Sequence, residues 1–145
     1  MRRLAVYLIK LAGWRWTADA VDSATGVVVP DAVKYDIQYL PHTADAASVS
    51  AQYPNELSKR LTHEHTIPLA LLAEKILGLE SGDEEVIYET LSSYCRAAII
   101  TREEDHRLNA AKLRSAMPSA WRFGEDMFAR YSIAGIELLL PEKKG

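Results

Sequence analysis

The apolar positions of this chain fall into two regimes. In the first sixty residues the pattern is short-range and resembles strands. Leu4 to Ala12 is an apolar run, a buried strand or a short helix. Trp14-Arg15-Trp16 alternates large and charged side chains, Val27-Val28-Val29 is a β-branched run stopped by Pro30, and Val33, Tyr35, Ile37 and Tyr39 recur at every second position. Residues 41–54 are rich in Ala, Ser and Thr and read as a long loop or a marginal helix. From residue 61 the pattern changes. Leu61 to Ile67 predicts a strand ending at Pro68. Leu69, Leu72, Ile76 and Leu79 recur at helical spacing, and a second helix is expected over residues 84–94 behind an Asp83 cap. Ala97-Ala98-Ile99-Ile100 predicts a short buried strand. Thr101-Arg102-Glu103-Glu104 then fits the Thr-x-x-Glu capping box of a helix running to about Ser115, stopped by Pro118. A short helix is expected around Met127 to Tyr131. The resulting expectation is an α+β fold in a single domain. It has a β-rich N-terminal part (1–60), a strand–(two helices)–strand–helix unit (61–118) and a C-terminal tail packed on the domain (119–145).

Composition changes this picture little. The chain has 145 residues, 48% hydrophobic and 26% charged, with a formal net charge of -3. These are ordinary globular values, and the charge supplies no overall basic field. Its distribution is uneven: residues 64–95 hold seven acids and one lysine, whereas residues 96–145 hold nine Lys/Arg and seven acids. A phosphate-binding face would draw on Arg96, Arg102, Arg107, Lys112, Arg114 and Arg122, which as a plain solvated helix face would look the same. The single cysteine, Cys95, excludes an intrachain disulfide and a CxxC zinc site. The first ten residues faintly mimic a signal peptide, but Lys10 and Trp14-Arg15-Trp16 interrupt it, and no apolar stretch approaches a membrane span. The expected location is cytoplasmic, with no membrane partner.

The chemistry concentrates in Thr62-His63-Glu64-His65-Thr66-Ile67-Pro68. A zinc-protease HExxH would need histidine where Ile67 stands. A zinc deaminase would need a Pro-Cys-x-x-Cys that one cysteine cannot supply. Neither GxSxG nor a glycine-rich phosphate loop is present. Glu64-His65-Thr66-Ile67-Pro68 resembles the first half of an HNH (ββα-metal) nuclease motif, an acid and a histidine at a strand end, two residues before Pro. Ile99-Ile100-Thr101-Arg102-Glu103-Glu104-Asp105-His106 resembles its second half, a strand running into a helix that carries a metal ligand. The likeness covers roughly residues 61–118 and is greatest to the HNH domain of RNA-guided DNA-cutting nucleases. It implies a metal-dependent endonuclease acting on DNA. His65 would be the general base, Glu64 and His106 the ligands of Mg²⁺ or Mn²⁺, and Asn109 or His63 would orient the base or substrate. Arg102, Arg107 and Arg114 are the candidate substrate contacts. The chain departs from the family in having no asparagine over residues 69–95, where the motif has its middle Asn, and in an insertion of about thirty residues. Two other readings stand beside it. One is a non-catalytic binding or regulatory module, either a degenerate HNH scaffold or a phage- or defence-related protein, that binds a macromolecular partner. The other is a structural zinc site from His63, His65 and His106.

Overall fold

The computed structural model describes residues 3–9 and 34–141. It is α+β, but mostly helical. Helix α1 covers residues 3–9. It is followed by α2 (Ala44–Gln52), α3 (Leu57–Arg60), β1 (Leu61–His65), α4 (Leu69–Leu77), α5 (Glu84–Tyr94), β2 (Ala97–Thr101), α6 (Arg102–Ala110) and α7 (Ala129–Ile133). The two strands pair antiparallel, with Leu61 opposite Thr101 and His65 opposite Ala97.

The expected β-rich N-terminal part is therefore corrected. Residues 34–40, which alternate like a strand, form turns. Asp36 is the cause: its carboxylate accepts the Gln38 N–H at 2.9 Å and its carbonyl accepts those of Tyr39 and Leu40. A short polar side chain that bonds its own backbone favours a turn over a ladder. Tyr35, Ile37 and Tyr39 still bury surface, from these turns, against a cluster of Leu40, Ala46, Leu61 and Ile99. Residues 14–16 and 27–29, also expected as strands, lie outside the described residues. Residues 44–52, read as a loop or marginal helix, are a helix that Thr43 caps by accepting the Ala46 N–H at 3.0 Å.

The second half follows its pattern more closely. Thr101 Oγ1 accepts the Glu104 N–H at 3.2 Å and Glu104 Oε2 accepts the Thr101 N–H at 2.8 Å, so the capping box is complete. Helix α6 stops at Ala110, short of the expected Ser115. Lys112 takes a positive φ of 59°, and the Leu113 and Lys112 N–H groups close back onto the carbonyls of Leu108 and Asn109. This is a Schellman stop, and it drives Leu113 into the core. Helix α7 ends the same way at Gly135, whose φ of +70° favours glycine.

The strand pair is covered on both faces. Ala98 and Ile100 pack with Leu108, Leu113, Tyr131 and Ile136 under α6 and α7. Leu61 and Ile99 pack on the opposite face with Ala46 of α2. The α4–α5 insertion keeps its own cluster, in which Leu72, Ala73, Leu91 and Cys95 meet Ile9 of α1. No helix among the described residues is long and apolar enough to cross a membrane.

Candidate functional site

Strand alternation divides the histidine-rich motif. Glu64 and Thr62 sit opposite Ala98 and Ile100, on the face that α6 covers. His63 and His65 share the face of Leu61 and Ile99, their rings edge to face with centroids 5.8 Å apart. The two residues that head the motif, Glu64 and His65, thus point to opposite sides of the sheet.

Helical periodicity divides the second half in the same manner. Glu104, Asp105 and Leu108 are buried under α6, whereas Arg102, Glu103, His106, Arg107 and Asn109 are exposed on its outer surface. His106 and Asn109 therefore face away from the sheet, and His65 lies beyond it. The structure brings together neither His65 with His106 nor the three histidines of the zinc reading. It does place Asp105 on the same side as Glu64. No group of three or more His, Cys, Asp or Glu side chains gathers among the described residues.

Glu64 is held by a residue that the sequence did not single out. Arg130 of α7 has no exposed surface, and its Nη2 donates to Glu64 Oε1 at 2.8 Å. The same guanidinium donates to the carbonyls of Thr66 (3.1 Å), Leu113 (2.8 Å), Arg114 (2.9 Å) and His65. One planar fork so ties the end of β1, the loop after α6 and α7 together. Burial raises the Glu64 carboxyl above the usual carboxylate range. The Arg130 charge and hydrogen bond oppose that rise, and the charge of Asp105 adds to it. Burial likewise pushes the Tyr131 hydroxyl well up.

Asp105 is only 8% exposed, and its Oδ1 is buried with no hydrogen-bond partner. Thr62 Oγ1, on the Glu64 face of β1, is buried in the same condition. Buried polar atoms are nearly always paired, so two on one side of a short strand pair are unusual. Asp105 was legible in principle: once Leu108 is set inward, the i−3 position is Asp105, and His106 turns out. Arg130 carries no such signal, since Ala129-Arg130-Tyr131 reads as an ordinary helix segment.

The candidate substrate arginines hold the fold as well as face solvent. Arg102 donates to the Ser58 carbonyl at 2.8 Å, and Arg107 donates to the Gly135 carbonyl at 3.2 Å and pairs with Glu104 at 3.6 Å. Arg114 is exposed, and its charge reaches Glu64. Arg102 also lines an open cleft of about 460 Å³ with Lys59 and Arg60, cations outside the sequence-based set, and with Asp45 and Glu103. No protein-family model matches the chain, and neither a curated protein nor a solved structure is significantly similar to it.

Proposed function

We propose that the chain is an HNH-like, metal-dependent nuclease that hydrolyses phosphodiester bonds in DNA. One observation carries the reading. An antiparallel strand pair runs directly into a capped helix, with half-buried Glu64 of the first strand on the face that this helix covers and Asp105 buried on the helix's inner side, where its charge bears on Glu64. The donors fit a hard divalent cation, Mg²⁺ or Mn²⁺: they are carboxylate oxygens, and one of them is buried with no partner. They do not fit zinc held by three histidines, because His106 and the His63–His65 pair lie on opposite sides of the sheet. A cation bound there supplies charge stabilisation at the scissile phosphate.

The chain's own residues supply the rest. Arg130 fixes the Glu64 carboxylate through Oε1. His65 takes the proton from the attacking water. Glu64 and His65 are the last two residues of β1, so the reading requires the scissile phosphate to lie over that strand end, where both faces are reached. Lys59, Arg60 and Arg102 flank the α6 N-terminus as contacts for the DNA backbone. Acting on DNA, the protein would work in the cytoplasm.

The binding-module reading has its own support. Glu64 is engaged by a buried guanidinium, and the His65 side chain is on the face of the sheet opposite α6. Incubation with plasmid and single-stranded DNA plus Mg²⁺ or Mn²⁺, beside His65→Ala, separates the two. The nuclease reading expects cleavage that falls at least about 100-fold in the variant. Cleavage that persists in His65→Ala removes the base assignment. No cleavage with either metal, together with a gel shift, establishes the binding module.

A further inference from the structure

Between β1 and α6 the charges do not balance. Glu64 lies on the strand face that α6 covers, Asp105 is buried on the sheet side of that helix, and their charges interact. Fully buried Arg130 uses its fork on Glu64 Oε1 and on four backbone carbonyls. No hydrogen bond from it reaches Asp105, whose Oδ1 is left buried and unpartnered. Arg114 is exposed, and its charge bears on Glu64 from the loop after α6. A buried carboxylate oxygen with no partner is costly, and a cation seated against it removes that cost. Thr62 Oγ1, buried and unpartnered two residues before Glu64, adds a neutral oxygen on the same face. Hard cations of the Mg²⁺ type are commonly held by one or two carboxylates, with water completing the shell.

We infer that Asp105, rather than His106, is the second protein ligand of a divalent cation that Glu64 holds from the strand. The inference rests on the nuclease reading for its purpose, but not for its geometry. His106 follows Asp105 by one residue, about 100° round the helix, and faces solvent. A cation seated under α6 meets the aspartate and not the imidazole. Thr62 lies on the β1 side of the same seat.

Mn²⁺ binding to the full chain, followed by electron paramagnetic resonance and by calorimetry, tests this. The samples are the parent, Asp105→Asn and His106→Ala, each first checked for native circular dichroism. Binding in the parent should weaken at least about tenfold in Asp105→Asn and stay unchanged in His106→Ala. A second readout guards against misfolding. Without metal, Asp105→Asn should melt a few degrees higher than the parent, because the negative charge that acts on Glu64 is gone. Its melting temperature should rise less with Mn²⁺ than that of the parent. Equal Mn²⁺ affinity in Asp105→Asn and the parent overturns the inference. So does loss of binding in His106→Ala alone, or no binding by the parent at millimolar Mn²⁺. The nuclease reading fails separately. Mn²⁺ bound through Asp105 with no DNA cleavage would sink the nuclease and keep the site. Cleavage that depends on His106 and not on Asp105 would do the reverse.

Discussion

The two faces of the β1–β2 pair are built from interleaved residues and have different chemistry. Under α2, Leu61 and Ile99 meet Leu40 and Ala46, and the two histidines continue that row to the strand end. Under α6 and α7, Ala98 and Ile100 provide an apolar floor. Glu64, Asp105, Thr62, Arg130 and the Tyr131 hydroxyl are brought into it. The first face is ordinary packing and stands on transfer free energy. The second adds a buried ionic network, whose components are tolerated only while each has its partner. Charged groups are placed inside at a cost on the α6 face, with two oxygens still unpaired, and that is the face on which the proposed cation site lies.

The largest expected break in this comparison comes from Arg130. Arg130→Ala removes the partner of Glu64 and donors to four carbonyls, and should cost about 3–5 kcal/mol by urea denaturation. Adding Glu64→Gln should recover part of that loss, because the stranded charge goes with it. If Arg130→Ala costs under about 1 kcal/mol, the network is peripheral and the contrast between the faces collapses.

A smaller effect isolates the helical insertion, which belongs to neither face. Cys95, at the joint of α5 and β2, is buried, and burial pushes its thiol from 9.0 up to about 11. The folded protein therefore holds this proton after the unfolded chain has lost it. The associated stability is present below pH 9 and is lost as pH rises toward 11. The slope is about 1.4 kcal/mol per pH unit, or roughly 2–3 kcal/mol in all. Cys95→Ala should flatten the stability profile over that window. An unchanged profile would place the thiol in contact with water.

How much of this was legible follows from where each signal resides. The α4 and β2 positions were readable from their apolar runs, and α5 and α6 from the cap residues Asp83 and Thr101 that start them. Residues 34–40 misled because alternation is also produced by turns whose apolar side chains fold onto one cluster, and Asp36 decided between the two. The candidate site drew on two kinds of signal. Glu64 and His65 came from the motif, but adjacency in sequence hid their opposite orientations. The family pattern pointed to His106 where helix phase selects Asp105. Arg130 was out of reach, since its meaning comes from carbonyls 16 to 65 residues away.

Lys112 sharpens the comparison from the loop that feeds Arg130. Its φ of 59° is the left-handed conformation that a side chain disfavours, and it turns the chain so that the Leu113 and Arg114 carbonyls face the guanidinium. Lys112→Gly should stabilise the protein by about 0.5–1 kcal/mol, less than the strain relieved, because glycine also loosens the unfolded chain. Destabilisation on the same assay would show that the lysine side chain has a contact outweighing its backbone strain.

The smallest expected effect falls on the residue that the motif ranked highest on α6. His106 is exposed on the outer surface of the helix, between Asp105, which is buried, and Arg107, which is tied to Gly135. His106→Ala should change stability by no more than about 0.5 kcal/mol at neutral pH, with or without Mn²⁺. Its neighbour gives the contrast: Asp105→Asn, one position away, should move both the metal-free and the metal-bound melting temperature. Two adjacent substitutions with such different consequences can arise only from helix phase. A cost above about 1.5 kcal/mol for His106→Ala would mean that the imidazole reaches the sheet. The division of α6 into a buried acidic side and an outer basic side would then be wrong.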